Sequence, residues 1–237
     1  ADPANLHTLG LWSSACAAAL VAVIYAKLFR WAEDLFLKMV NSYSFAVLVI
    51  SPICFFAAWW VVRRFAPEAA GSGIPQIMAA NEADYLGPQR PLVDRLLSLR
   101  TALVKILSSL LCVIGGGAIG REGPTLQIST SLFHFFGQLV RRFVPNVSEH
   151  TWVVAGAASG LASAFNTPLG GIVYAIEELG LVQFHRIRTA LLTAVIISGL
   201  VAQWIMGSYL YLGFPKLVPM TFSIFPAVIL VGLCTGA

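Results

Sequence analysis

"GGGAIGREGPTLQIST", residues 115–130, sets one base and one acid, Arg121 and Glu122, into a run that is otherwise apolar or small. Glycines flank the pair and Pro124 follows it. Proline suits the first turn of a helix, where its missing N–H would go unpaired anyway. The stretch therefore reads as a break followed by a new helix start near residue 123.

What surrounds the break places it in a membrane. Runs 39–62, 123–140, 151–176, 189–215 and 217–237 contain no Asp, Glu, Lys or Arg. Each is near or above the ~18–20 residues that cross the hydrocarbon core as a helix. Only 11% of the 237 residues are charged and 58% are hydrophobic, against about a quarter charged in soluble domains. Mean hydropathy is +0.80. A β-barrel would show weak ten-residue alternation and not solid apolar runs, so the fold class is an all-α multi-pass membrane bundle.

The remaining composition excludes other classes. Net charge is +4, and the bases lie in ones and twos, such as Arg63-Arg64 and Arg141-Arg142, as helix-end anchors and orientation signals. No nucleic-acid surface is expected. The four cysteines sit inside apolar runs without metal-ligand spacing, which reads as buried small hydrophobes. "GGGAIGREGP" lacks the Gly-Lys-Ser/Thr of a nucleotide loop. Residues 1–8 read as an N-terminal tail or cloning remnant, and 9–24 run too smoothly into the next segment to be a cleavable signal.

Along the chain, the pattern predicts helices over 9–40, 43–62, 93–114, 123–142, 149–165, 168–179 and 188–206. A two-turn helix is expected at 74–80, and a last one from about 222. Breaks recur at 71–75, 120–124 and 166–168. Non-helical backbone at membrane depth is tolerated where protein covers it or where it lines a watery cavity, and interrupted helices point to a transporter's binding site. The plainer alternative is close helix packing, the expected use of Gly156 and Gly160.

Helix starts carry unpaired N–H groups and the positive end of the macrodipole. Two or three converging would hold a small anion without a ring of basic residues, and Ser72 can add a hydroxyl. A carboxylate at the same place, Glu122, competes with the anion and leaves when protonated. The alternative is an ordinary acid stabilising a helix start, although ionisable residues within a bilayer are functional by default. Adjacent residues on a helix do not face each other, so Arg121 and Glu122 are not expected to pair. Lys105 is expected to support a carboxylate or to snorkel.

Three motifs carry a resemblance to a known family. Gly71-Ser72-Gly73-Ile74-Pro75, Gly120-Arg121-Glu122-Gly123-Pro124 and Phe165-Asn166-Thr167-Pro168, the last leading into Glu177-Glu178, resemble the CLC chloride channels and chloride/proton antiporters in order and spacing. The resemblance implies a CLC-type bundle of tilted and broken helices, here the first of two inverted repeats, over 9–210. It implies a linker and the first helix of the second half over 211–237. The Gly-x-Phe-x-Pro motif and the tyrosine of a second half are not in this sequence, so a fragment is expected.

It further implies an anion site formed by Ser72, Gly73, Ile74, Arg121, Glu122 and Gly123, with Glu122 as the gate. Glu178 would transfer protons, as in the antiporter branch; the alternative for Glu178 is a solvated helix end. No cofactor is implied beyond a bound chloride ion, and the partners are chloride, protons, the lipid bilayer and a second copy in a homodimer. The implied location is a bacterial inner membrane. The function so read is chloride/proton exchange and not enzymatic; the alternative is a passive voltage- or pH-gated chloride channel of the same fold. A remote alternative, an intramembrane hydrolase, would use Ser159 with His150 or His185.

Overall fold

Small residues on two successive helices let their backbones approach closely, and the fold is built around that contact. The computed structural model describes residues 3–43, 45–85, 90–144, 148–177, 184–207 and 225–236. Helix α6 (Glu122–Arg141) lies along α7 (Glu149–Phe165). Gly156 sits on Thr130 and Phe133, Gly160 on Ser129 and Leu126, and Gly137 under the Trp152 ring. A Cβ at Gly156 would come within 2.8 Å of Thr130 Cα, so the small-residue spacing serves packing as expected. The hydroxyls in this contact are bonded within it: Ser129 Oγ donates to Gly156 O at 2.7 Å and Thr130 Oγ1 to Leu126 O at 2.8 Å. Almost all of α7 is buried, including Trp152.

The other helices are α1 (Pro3–Ser42), α2 (Val47–Phe65), α3 (Ile74–Tyr85), α4 (Arg90–Leu96), α5 (Leu99–Ile114), α8 (Pro168–Glu177), α9 (Phe184–Met206) and α10 (Phe225–Gly236); α1, α3, α5, α8 and α9 pack on one or both of the pair. A 3₁₀ turn, Pro67–Ala69, joins α2 to the loop before α3. Helix α1 is about 60 Å long at the usual rise, twice the hydrocarbon thickness, so it must tilt. It buries a seam of Ala15, Ala18, Ala19 and Ala22 against α6, α7 and α9, and exposes Leu20, Ile24 and Trp31. Helix α2 leans on α5 and turns Leu48, Val49, Ile53 and Phe56 outward. Such a surface is stable only in lipid or under protein. Segments Leu6–Ser42, Val47–Phe65 and Pro91–Ile114 are each long and apolar enough to span a bilayer. This is an all-helical membrane fold.

The structure differs from the sequence expectations in several places. Helix α1 begins at Pro3 and not near residue 9. Helix α3 continues to Tyr85, past the two turns expected. The single helix expected over 93–114 is two, because Ser98 caps α5: its Oγ accepts from Thr101 N at 3.0 Å, and Thr101 Oγ1 donates back to Arg95 O at 2.9 Å. The cysteines are unpaired but not buried: Cys16, Cys54 and Cys112 are half-buried and Cys234 is exposed, since they face helix flanks and not the α6–α7 core.

Candidate functional site

Two of the three breaks meet. Gly71 at φ 70° and Gly73 at φ 106° turn the chain from the 3₁₀ turn into α3, a conformation that side chains with a Cβ rarely adopt. Past α5, Gly116 at φ 82° starts the segment leading to α6. The two helix starts then touch through their glycines. A Cβ at Gly123 would lie 2.6 Å from Ser72 O, and one at Gly73 would lie 2.9 Å from both Gly123 O and Gln127 Cβ.

Side by side, these starts line a cleft of about 750 Å³ against α2 and α5. Phe55, Trp59 and Val62 form its apolar wall; Ser72, Lys105, Ser108, Ser109 and Glu122 supply its polar groups. Ser72 is exposed to it, and Ile74 N–H approaches Ser72 Oγ at a long 3.4 Å. Glu122 is half-buried, its carboxylate folded back over Gly120.

The expected anion residues do not all face this space. Ser72, Ile74, Glu122 and Gly123 line the cleft, while Gly73 is buried beneath it between α3 and α6. Arg121 is buried and lines a second cleft of about 290 Å³ with Phe29, Arg30 and Glu33. Neighbouring residues on one helix start thus open onto different clefts, as their angular separation requires. Glu178 lies outside the described residues.

Lys105 is the residue whose role differs most from expectation. It neither pairs with a carboxylate nor snorkels: it is 2% exposed, and its Nζ donates to Gly71 O at 2.8 Å and, more weakly, toward Ala70 O at 3.5 Å. The Lys105 amino group therefore stands beside Ser72 on the cleft wall. Sequence reasoning also missed Ser108 and Ser109. Their signal was present, since Lys105, Ser108, Ser109 and Cys112 follow helical spacing i, i+3, i+4, i+7 along α5. Behind the cleft, Tyr25 of α1 donates to Ser109 Oγ at 2.9 Å and is itself buried.

The third break does not join this cleft. Asn166 at φ 56° closes α7, Thr167 Oγ1 accepts from Gly170 N at 3.2 Å, and the Pro168 ring packs on Gly199. Ser159 is fully buried in α7, and His150 is one end of the same helix, roughly 13 Å away by its rise. That is beyond the reach a nucleophile and its base need.

Comparison with known proteins gives matches in both sequence and structure. The sequence profile described as voltage gated chloride channel matches residues 54–237. An H(+)/Cl(-) exchange transporter ClcA from Citrobacter koseri is 35% identical over 167 residues, 68% of this chain and 33% of the relative. The protein of that name from Vibrio cholerae is 40% identical over 158 residues, 66% and 31%. A slow cyanobacterial Cl-/H+ antiporter of known crystal structure superposes with a TM-score of 0.69 at 23% identity, covering 97% of this chain and 53% of that one. The chain thus spans about a third of the curated relatives it matches.

Proposed function

The chain belongs to the voltage-gated chloride channel family, and on that premise we propose that it is the first inverted half of a chloride/proton exchange transporter. The observation that carries this reading is the meeting of the 71–75 and 120–124 breaks at one cleft, with Glu122 and Lys105 on its wall.

The physical case is one of compensation. A bare anion in an apolar medium costs tens of kcal/mol on a Born estimate, and each charge-assisted hydrogen bond returns only about 1.5–3 kcal/mol net. Several donors must therefore converge. The α3 and α6 starts offer amides and dipoles, Ser72 a hydroxyl and Lys105 a whole charge. Binding weak enough to permit release follows from keeping Lys105 engaged with Gly71 O, so that it acts at a distance and not as a direct ligand.

Glu122 is the gate in this reading. Deprotonated, its carboxylate occupies the electropositive end of α6; protonated, it leaves the place to chloride. Glu178 passes the proton onward. The second half of the full-length protein closes the open side of the cleft, the assembly is a homodimer in the bacterial inner membrane, and no cofactor beyond chloride is used. The ClcA relatives, named as exchangers, support exchange over passive conduction.

Paired flux measurements on the full-length protein in liposomes test this. Glu122→Gln should pass chloride without coupled protons, and Glu178→Gln should stop proton movement while chloride still moves. Retained coupling in both variants overturns the gate; chloride current never coupled to protons in the wild type leaves a channel.

A further inference from the structure

A second group of ionisable side chains, two of them buried, lies away from the cleft, roughly 18 Å along α6 from Glu122 by its rise per residue. Here α4, α6 and α7 meet. The His134 side chain is 3% exposed, with Nε2 2.9 Å from Asp94 Oδ1 on α4 and Nδ1 3.0 Å from Glu149 Oε1 on α7. Arg141, also on α6, holds the other Glu149 oxygen at 3.0 Å. Gln138 reaches both Asp94 Oδ1, at 2.6 Å, and His134 Nε2, at 3.0 Å. His150, buried beside Glu149, is the remaining titratable group on this end of α7.

Two arrangements of this cluster are chemically complete. An imidazolium has two N–H donors, one for each carboxylate. A neutral ring has one donor and one acceptor; Nδ1–H then faces Glu149, and Nε2 accepts from the Gln138 amide, while Asp94 Oδ1, itself an acceptor 2.9 Å from Nε2, must move away. The Nδ1 contact is close but not aligned as a hydrogen bond. A metal ion fits worse, because the carboxylates stand on opposite ring nitrogens.

We propose that Asp94, His134 and Glu149 form a proton-binding site distinct from the gating glutamate, and that α4 carries its state to the Ser72 loop. The connection is short. Arg95, next to Asp94, pairs with Glu68 in the 3₁₀ turn at 2.8 Å. Leu96 O and Glu68 O both accept from Gln127 Nε2 at 3.3 Å, and Gln127 Cβ packs directly under Gly73. A proton on His134 draws Asp94 inward and fixes α4; its loss frees α4 and the turn that precedes Ser72. An exchanger so built tunes its anion site to the pH at the far end of α6 without using the transported proton.

The test uses full-length protein in lipid nanodiscs with isotope-labelled histidine. His134→Gln identifies the His134 imidazole signals among the four histidines. Between about pH 5 and pH 8, the usual range of histidine, those signals should pass reversibly from imidazolium to neutral ring. Asp94→Asn removes an anion facing the ring, so the response of the His134 signals to pH should change; the Asp94 side chain is half-exposed, which keeps this variant folded. In liposomes, the same step should be present in the pH profile of wild-type chloride flux and absent in His134→Gln, with maximal flux retained. A His134 ring fixed in one protonation state, or a pH response unchanged by Asp94→Asn, overturns the site. An unchanged flux profile in His134→Gln overturns its link to the Ser72 loop.

Discussion

The breaks at 120–124 and 166–168 are made of similar ingredients, a small or turn-prone residue and then a proline, and the fold treats them in opposite ways. At 166–168 the protein fills the break. Thr167 N donates to Ala162 O at 3.0 Å, Thr167 Oγ1 caps α8, Pro168 lies on Gly199, and Gly171 packs against Ala158 O. At 120–124 the helix start packs against Ser72 and Gly73 on one side and opens onto the cleft on the other. A break therefore becomes a site through what is left beside it: space, a hydroxyl and a charge. Proline and glycine alone do not make one.

Substitutions can break this comparison, and the largest effect is expected where the two open starts touch. Gly73→Ala places a Cβ 2.9 Å from Gly123 O at φ 106°. Backbone strain of about 1–2 kcal/mol adds to overpacking of about 1–3 kcal/mol, for a loss of about 3 kcal/mol and of chloride binding together. Denaturant unfolding of the full-length protein and calorimetric titration with chloride measure the two. Unchanged stability would mean that the α3 and α6 starts are not held against each other as the structure has them.

Next comes the charge. Lys105→Met keeps the length of the side chain and removes the ammonium. Chloride affinity should fall about tenfold, equivalent to about 1.4 kcal/mol, and stability should fall by about 1–3 kcal/mol because Gly71 O loses its partner. If affinity holds, the helix starts alone carry the site and Lys105 is only a brace for the loop.

How much of this could be read from the sequence depended on how local the cause was. The start of α6 at Glu122 and the span of α7 follow from residues within one turn of the boundary. The meeting of Gly71-Ser72-Gly73 with Gly123 was expected from the logic of converging helix starts and from the family resemblance, and no local spacing showed which atoms would touch. Lys105 was misjudged because its partner is a backbone carbonyl 34 residues upstream, and no spacing rule encodes that. Ser98 escaped notice because a serine inside an apolar helical pattern looks the same whether it caps a helix or lies within one. The Asp94, His134 and Glu149 group draws on three helices, and residues that meet only after packing leave no periodic trace.

The smallest effect is expected at the filled break, and it sharpens the comparison most. Asn166 already sits in the left-handed region, so Asn166→Gly removes backbone strain of about 1 kcal/mol. It also removes the bond from Asn166 Nδ2 to Gly207 O at 3.2 Å, which is exposed and worth about 0.5–1 kcal/mol. The two nearly cancel, so stability should stay within about 1 kcal/mol of wild type and chloride affinity should not move. The affinity is the telling quantity. Calorimetric titration showing weaker chloride binding in this variant would mean that the α7–α8 break reaches the anion after all, through the part of the protein beyond this chain. Unaltered binding would leave the proline at 168 with the role its contacts give it, ending one helix and seating the next.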